Sequence, residues 1–405
     1  MSEERKRRLV YGMLASQTEN QAIVMPSDIY DECVCLGLAR NGETTSVATP
    51  AEPESAAPEP VAAKCTVAAP CELPPASPVY DTYWRFAVGR QEIFMKRLRG
   101  EPPPWTTDPI LLQHKFTNVY RASDRVSQYL IGRVIYRGKH DVDDMIFRIL
   151  LFKIFNKIET WELLEEQLGD ISWRTYNFAR YDRVLSTALA HATRIYSAAY
   201  IMPSVMVFGH DRKHQNHLKL LERMMQENFP QNVEKAATLR DLFLLLKGYP
   251  SIGDFLAYQF AIDINYSPVV DFDESSFVVP GPGARDGIKK CFPDAAGLSE
   301  AEIIERVTKR QDYEFDRLGL RFERLGHREL KLIDCQNIFC EVDKYARLKH
   351  PEIKGLSGRT RIKQVYRANS QPVSYCYPEK WGINSAITAL TNGAPKPSSN
   401  GTKRI

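Results

Sequence analysis

The stretch that decides the fold is LRDLFLLLKGYPSIGDFLAYQFAID, residues 239–263. A Pro/Gly turn separates two segments whose apolar residues recur at helical spacing. Backbone N–H groups at the start of the second helix lack intrahelical partners, and with the helix dipole they favour a phosphate. Ala257 and Ala261 lie four residues apart and offer a small face for close packing. The stretch therefore predicts two helices joined by a tight hairpin.

Helical spacing continues on both sides of this hairpin, whereas no segment alternates with the period of two that marks strands. Residues 145–155 are apolar nearly all round, which predicts a central helix. The sequence thus predicts an all-α body without internal repeats. The predicted helices span residues 81–99, 109–136, 141–155, 158–168, 176–200, 214–228, 239–246, 254–264, 300–318 and 330–349.

Composition divides the chain into a body and two tails. Of the 405 residues 43% are hydrophobic and 26% are charged, which is typical of a globular protein with a sizeable core. Residues 48–78 hold eight prolines among Ala, Glu and Ser, a composition that predicts disorder. We therefore expect a disordered Pro/Ala/Glu-rich tail over 1–78, one helical domain over 79–370, and a mostly irregular tail over 371–405.

Charge is unevenly distributed along the chain. The total is 54 − 50 = +4, but residues 1–78 hold 6 Lys/Arg against 11 Asp/Glu, which leaves 48 − 39 = +9 for the remainder. A basic body suits a polyanion such as DNA, although many enzymes with small substrates share this balance.

Several classes of protein and of site are not expected. The N-terminus lacks the apolar core of a secretory signal, and no run reaches the roughly 18 apolar residues of a membrane span. We expect an intracellular protein, cytoplasmic or nuclear, with free thiols and no membrane partner. No metal site is expected either, because His210 and His217 are seven residues apart, roughly 10 Å along a helix.

The hairpin resembles the helix-hairpin-helix element of DNA glycosylases, whose consensus is Leu-Pro-Gly-x-Gly. Here Tyr249-Pro-Ser251-Ile-Gly253 has serine at the first glycine. The resemblance assigns DNA phosphate binding to Ser251 and Gly253, while an ordinary αα-hairpin is the alternative. It also implies a catalytic aspartate about twenty residues after the last glycine, and 273 − 253 = 20. Bifunctional members have a lysine two positions after that glycine, where this chain has Phe255, so Schiff-base lyase chemistry is not predicted.

The acidic loop at that distance contains Asp271, Asp273 and Glu274. Clustered carboxylates repel one another, which suits acid–base or electrostatic catalysis; a solvated loop without function is the alternative. The Pro/Gly-rich segment that follows lets backbone approach a ligand at Gly281 and Gly283, or forms a plain turn. The remaining candidate phosphate ligands are basic: Arg285, Arg359, Arg361 and Lys363.

Two further groups of polar residues occur at helical spacing. Asn118, Arg121, Asp124 and Arg125 either read a pyrimidine edge or bind phosphate, or form a local ion-paired network in which Arg121 pairs with Asp124. The second group either lines the same ligand pocket as the first group or forms only a polar helix face. Its members are Gln336, Asn337, Cys340, Glu341 and Lys344.

Taken together, these motifs resemble the helical domain of 5-hydroxymethyl-deoxyuridine DNA kinases, which is grouped with α-glutamyl/putrescinyl-thymine pyrophosphorylases. The resemblance covers about residues 80–370. It rests on residues 115–125, 252–259, 263–267, 279–287 and 334–345. It implies a glycosylase-like helical fold that holds DNA and presents a flipped 5-substituted pyrimidine to a pocket. The chain contains no Gly-x4-Gly-Lys-Ser/Thr loop, so kinase activity is not expected from this chain alone.

The sequence leaves two functions open. In the first, the protein modifies a pyrimidine by base removal or by group transfer from a nucleotide or other activated donor. Asp273, with Asp271 or Glu274, is then catalytic. The base or its substituent is contacted by Asn118, Arg121, Asp124, Gln259, Asn265 and Tyr266. In the second, the protein is a non-catalytic DNA reader that partners a separate DNA kinase or base-oxidising oxygenase.

Overall fold

The computed structural model describes residues 71–204, 206–367 and 375–392. These residues form helices and connecting loops, with no β-strand among them, so the all-α prediction is confirmed. The described residues include two isolated antiparallel β-bridges, which pair His114 with Val365 and Leu325 with Arg328. No described helix is both long and apolar enough to cross a membrane. Residues 1–70 of the predicted disordered tail lie outside the described residues, and so do residues 393–405.

The helix bounds are as follows: α1 Pro78–Leu98, α2 Pro109–Gln113, α3 Arg125–Tyr129, α4 Val142–Phe155, α5 Ile158–Leu168, α6 Phe178–Ala190, α7 Lys213–Gln226, α8 Phe229–Lys235, α9 Leu239–Lys247, α10 Asp254–Asn265, α11 Pro282–Cys291, α12 Glu300–Lys309, α13 Gln311–Arg317, α14 Leu332–Lys349 and α15 Asn384–Asn392. Short 3₁₀ turns span Arg121–Ser123 and Glu379–Trp381, and a π-helical turn spans Leu130–Ile135.

Helix α4 runs through the core, as its apolar composition predicts. Asp141 caps its start by accepting a hydrogen bond from the Asp144 backbone nitrogen at 2.9 Å. Every residue from Met145 to Phe155 is buried, including Arg148 and Lys153. A buried cation requires compensating partners, so these two charges mark places where the core is polar.

Helices α9 and α10 form the predicted hairpin. Thr238 caps α9, and the turn brings Ser251 to φ = +66°, a left-handed conformation that glycine adopts without strain. The consensus glycine that serine replaces here therefore coincides with a position whose backbone favours glycine. Ala257 and Ala261 are fully buried, as their spacing predicts.

Helix α11 packs unusually closely on α14, because two glycines face the second helix. A Cβ at position 287 would lie 2.0 Å from the Phe339 carbonyl oxygen, and a Cβ at position 283 would lie 2.3 Å from Cys340 Sγ. The Pro/Gly-rich segment thus has a packing function, which accounts for Gly283 and Gly287 without a ligand.

Several sequence-based bounds are wrong. The helix predicted over 109–136 is interrupted after Gln113, because the backbone nitrogens of Thr117 and Asn118 are bonded to the carboxylates of Glu341 and Asp124. The helix predicted over 176–200 ends at Ala190. The helix predicted over 300–318 is divided at Arg310 into α12 and α13. The C-terminal segment predicted to be mostly irregular over 371–405 includes α15 among its described residues.

Candidate functional site

One face of α10 carries Phe255, Gln259 and Asp263 at intervals of four residues, so these side chains lie above one another along the helix. Gln259 and Asp263 are 2% and 1% exposed. Phe255, one residue after the start of α10, is only partly buried. The face therefore leads from the hairpin into the interior.

Arg121 faces this helix and binds both polar side chains. Its Nε donates to Gln259 Oε1 at 3.0 Å, and its two terminal nitrogens donate to the two carboxylate oxygens of Asp263 at 2.7 and 3.0 Å. A fourth bond joins Arg121 to the Tyr266 hydroxyl at 3.1 Å. The bidentate geometry fixes the guanidinium plane.

Lys153, from the central helix α4, completes a buried ionic cluster with Arg121 and Asp263. Its ammonium lies 2.8 Å from Asp263 Oδ2 and donates to Asn156 Oδ1 at 2.9 Å. Burial lowers the pKa of Lys153, and the charge of Arg121 lowers it further against the opposing effect of Asp263. Burial alone would raise the pKa of Asp263, but the two cations lower it. The carboxyl of Asp263 therefore stays ionised between the Arg121 guanidinium and the Lys153 side chain.

A stacked aromatic pair closes the outer end of the cluster. The rings of Tyr200 and Phe255 are parallel within 5°, with centroids 5.7 Å apart. The Tyr200 ring also lies 4.8 Å from the Lys153 ammonium and 6.0 Å from the Arg121 guanidinium. Burial and the charge of Asp124 raise the pKa of Tyr200 to about 12, while Arg121 opposes the shift. Tyr200 adopts φ = +54°, an unfavourable conformation for a bulky residue.

Two helix N-termini meet at this pair. The Phe255 ring contacts Gly281, the residue before α11, and Gly253 precedes α10. Neither helix has a side-chain hydrogen bond at its N-cap. Ser251 is partly buried and Gly253 is exposed, while Gly281 is buried against Phe255. Gly253 and Gly281, two of the predicted phosphate ligands, thus both lie near Phe255: Gly253 is two residues before it in the chain, and Gly281 is against its ring.

The loop from Asn118 to Asp124 borders the cluster on the other side. Asn118 is fully engaged within the protein: its Oδ1 accepts from Arg90 at 2.6 Å and its Nδ2 donates to the Ser123 carbonyl at 2.6 Å. Arg121 does not pair directly with Asp124, so the ion pair considered in the sequence is absent. Burial raises the pKa of Asp124 to about 7, and the charge of Glu341 contributes to the shift.

The acidic loop separates its three carboxylates. Asp271 and Asp273 have side chains 78% and 65% exposed; they lie 3.5 Å from Lys380 and 3.8 Å from Lys331 respectively. Glu274 is 4% exposed and lies 2.9 Å from Arg328. Glu274 therefore faces the interior, whereas the other two face solvent.

Glu274 and the ionic cluster act on the same buried tyrosines. Burial raises the pKa of Tyr258 and Tyr266 well above the ordinary value; Glu274 adds to the shift and Arg121 opposes it. Asn265 serves the acidic loop instead of a ligand, since its amide exchanges two hydrogen bonds with the Phe272 backbone at 2.9 and 3.0 Å.

The C-terminal segment 375–392 packs against this region. Trp381 lies 3.6 Å from the Arg328 guanidinium and meets Tyr266 edge-on at 5.8 Å. Lys380 donates to the carbonyls of Ser267 and Val270, immediately before the acidic loop. The segment thus holds both the acidic loop and the arginine that pairs with Glu274.

The remaining predicted phosphate ligands are side chains in solvent: Arg285, Arg359, Arg361 and Lys363 are exposed. His214 and His217, which lie on α7, make separate hydrogen bonds. His214 pairs with Asp182 at 2.8 Å, and His217 with Tyr196 at 2.7 Å. Among the described residues, no three His, Cys, Asp or Glu side chains converge on a metal site.

The sequence did not predict that Lys153, Tyr200 and Asp263 belong to the candidate site. A charged residue inside an otherwise apolar helix is a usable signal for Lys153 and Asp263, because a buried charge needs a partner. Tyr200 lies within the loop between α6 and α7 and carries no comparable sequence signal.

Comparison with known proteins bears on the same region. Residues 77–355 match the family model described as "5-hmdU DNA kinase, helical domain". The chain is 26% identical over 290 residues to a 5-hmdU DNA kinase of Bacillus phage SP10, a match that covers 66% of this chain and 45% of that kinase. The chain therefore aligns with less than half of its relative's length. No solved structure matches the chain.

Proposed function

The chain belongs to the family of 5-hmdU DNA kinase helical domains, and from this premise we propose that it binds DNA and takes part in modifying 5-hydroxymethyluracil there. The observation that carries the proposal is the aromatic pair Tyr200–Phe255 above the buried ionic cluster. This arrangement combines a stacking surface with fixed hydrogen-bonding groups, which is what recognition of an extruded base requires.

Extruding a base from a duplex costs a few kcal/mol, which contacts in the pocket must offset. Stacking of a base on an aromatic side chain contributes about 1–3 kcal/mol. Tyr200 and Phe255 are positioned for such stacking because both are only partly buried. The Arg121–Asp263–Lys153 cluster behind them supplies a rigid polar floor.

The phosphate contacts of the proposed complex lie at the same edge. Two uncapped helix N-termini adjoin Phe255, and their backbone N–H groups with the aligned dipoles favour a DNA phosphate. We assign phosphate contacts to Ser251, Gly253 and Gly281. The exposed cations Arg285, Arg359, Arg361 and Lys363 add sequence-independent attraction.

The chemistry takes one of two forms, glycosylase-like base removal or transfer of a group to the 5-substituent. In base removal, a carboxylate of the acidic loop stabilises an oxocarbenium-like sugar; in group transfer, it deprotonates the nucleophile. Asp273 remains our candidate for this role, with Asp271 and Glu274 as alternatives. A nucleotide or another activated donor, supplied with a separate DNA kinase, would be needed for transfer.

The test uses oligonucleotides that carry thymine or 5-hydroxymethyluracil at one position. They are incubated with the wild type, Asp273→Asn and Glu274→Gln, with and without nucleotide, and the nucleosides are read by mass spectrometry. Asp294→Asn is the matched control, since Asp273 and Asp294 both accept a bond from the backbone nitrogen two residues ahead at 2.9 Å.

A missing base identifies glycosylase-like chemistry, and a nucleotide-dependent gain in mass identifies transfer. Loss of either product in Asp273→Asn but not in Asp294→Asn assigns the carboxylate. A wild type that binds neither oligonucleotide overturns the proposal.

The exposure of Asp271 and Asp273 favours a second candidate, a non-catalytic reader of the modified base that partners a separate base-modifying enzyme. Its signature in the same experiment is unchanged nucleosides with preferential, salt-sensitive binding to the modified strand.

A further inference from the structure

Two glutamine side chains at the aromatic pair have amide groups without a hydrogen-bond partner among the described residues. One is the amide nitrogen of Gln259, and the other is the whole amide of Gln336. Both residues are buried, at 2% and 5% exposure. Side-chain nitrogen and oxygen atoms that are fully enclosed and lack a hydrogen-bond partner belong to other described residues, for example Trp84 and Tyr129. The two glutamine amides therefore remain reachable from solvent.

Arg121 fixes the orientation of the Gln259 amide. An arginine side chain has only donors, so the atom of Gln259 that faces Arg121 Nε at 3.0 Å must be the oxygen. The amide nitrogen therefore points away from Arg121, and Gln259 presents a donor on that side. Flipping the amide would place two donors against each other, so this assignment is secure.

Gln336 reaches the same place from helix α14. Its Nε2 lies 3.2 Å, and the Phe255 ring 2.7 Å, from the point where a Cβ would sit at position 281. The Gln336 amide is thus about 6 Å or less from that ring. No neighbour fixes its orientation, so it can offer a donor or an acceptor.

We propose that Gln259 and Gln336 bind the hydrogen-bonding edge of the extruded base, and that the fixed donor of Gln259 selects 5-substituted uracil over 5-substituted cytosine. This inference rests on the proposed function. Uracil presents a carbonyl acceptor at position 4, whereas cytosine presents an amino donor there. The fixed donor of Gln259 pairs with the uracil carbonyl and opposes the cytosine amino group. Gln336 pairs with the adjacent ring N–H or carbonyl.

The experiment measures binding of the full chain to duplexes with a single 5-hydroxymethyluracil, 5-hydroxymethylcytosine or thymine, by fluorescence anisotropy. The variants are Gln259→Glu, Gln336→Leu and the isosteric Gln336→Glu. Gln226→Leu, at an exposed position on α7, is the matched control. Circular dichroism establishes that each variant is folded; Gln336→Glu keeps the side-chain shape should Gln336→Leu fail to fold.

We expect the wild type to prefer the uracil duplex over the cytosine duplex. Gln336→Leu should weaken binding of the uracil and the cytosine duplex alike by about tenfold, the usual effect of one lost hydrogen bond, because an amide free to turn pairs with either base. Gln259→Glu replaces the donor with an acceptor and should shift the preference toward cytosine. Gln226→Leu should leave the preference unchanged.

The binding data separate a failure of the glutamine assignment from a failure of the proposed function. If the wild type prefers the uracil duplex but Gln259→Glu keeps that preference and Gln336→Leu binds as tightly as the wild type, the assignment of Gln259 and Gln336 is overturned while the proposed function stands. If the wild type does not bind any of the duplexes, the proposed function fails and this inference fails with it.

Discussion

At the residue scale, Arg121 positions other groups and is not itself free to read a base. Its guanidinium is committed to Asp263, Gln259 and Tyr266, and its backbone nitrogen donates to Asp334 at 2.9 Å. The sequence assigned a base contact to Arg121; in the structure its clearest role is to orient Gln259. Asp334 itself is buried, which raises its pKa to about 6 against the opposing charge of Arg328.

Asp263→Asn should destabilise the protein by about 3–5 kcal/mol, because it removes the carboxylate between two buried cations. Arg121 and Lys153 would then repel each other in a medium of low dielectric constant. Equilibrium unfolding in urea, followed by circular dichroism, measures the change.

Lys153→Met is the comparison for this variant. It removes one cation but leaves the Arg121–Asp263 pair intact, and methionine fills a similar volume, so a smaller loss is expected. If Asp263→Asn cost no more than Lys153→Met, the carboxylate would not be the element that holds the cluster together.

At the element scale, the hairpin shows why local patterns predict well. Helices α9 and α10 end within one residue of their predicted bounds, because the turn residues and the apolar spacing act over a few residues. The failure over 109–136 has the opposite cause. There the backbone binds Glu341, more than two hundred residues away, and local spacing carries no trace of it.

The contact between α11 and α14 depends on Gly287. Gly287→Ala should destabilise the protein by about 1–3 kcal/mol or more, because the added Cβ meets the Phe339 backbone carbonyl at 2.0 Å and backbone cannot rotate away. Thermal and urea unfolding measure the effect.

Gly89→Ala, in the interior of α1, is the matched substitution. Its Cβ would meet only Leu111 at an ordinary 3.6 Å, and alanine is the better helix former. We expect a change between zero and about 1 kcal/mol of stabilisation. Equal destabilisation by both alanines would contradict a specific close contact at Gly287.

At the scale of the whole molecule, charge is divided between the N-terminal tail and the rest. Residues 1–70 hold 6 Lys/Arg and 10 Asp/Glu, so residues 71–405 carry 48 − 40 = +8 against +4 for the whole chain. The described residues, from 71 onward, belong to one compact unit, which supports expressing residues 71–405 alone.

Removal of residues 1–70 should therefore strengthen DNA binding several-fold at low salt, since less negative charge opposes the phosphates. Anisotropy titrations from about 50 to 300 mM salt measure this, and the difference should shrink as salt screens the tail. An advantage that persists unchanged at high salt would indicate a specific inhibitory contact instead of general electrostatics.

The site also extends beyond the part of the chain that matches the family. Trp381 and Lys380 lie after residue 355, yet they contact Arg328 and the start of the acidic loop. The C-terminal segment is therefore an integral support of the candidate site, although its sequence predicted little structure.

The sequence by itself determined the helical class, the hairpin, the burial of α4 and the resemblance to the family, because each depends on the order of neighbouring residues. Only the tertiary structure decided which side chains form the site. Arg121, Lys153, Tyr200, Asp263 and Gln336 come from separate parts of the chain, and their meeting depends on how the helices pack. The tertiary structure also separated the three clustered carboxylates. Glu274 turns inward and pairs with Arg328, whereas Asp271 and Asp273 remain in solvent. A charge that faces the interior needs such a partner, and an exposed charge does not.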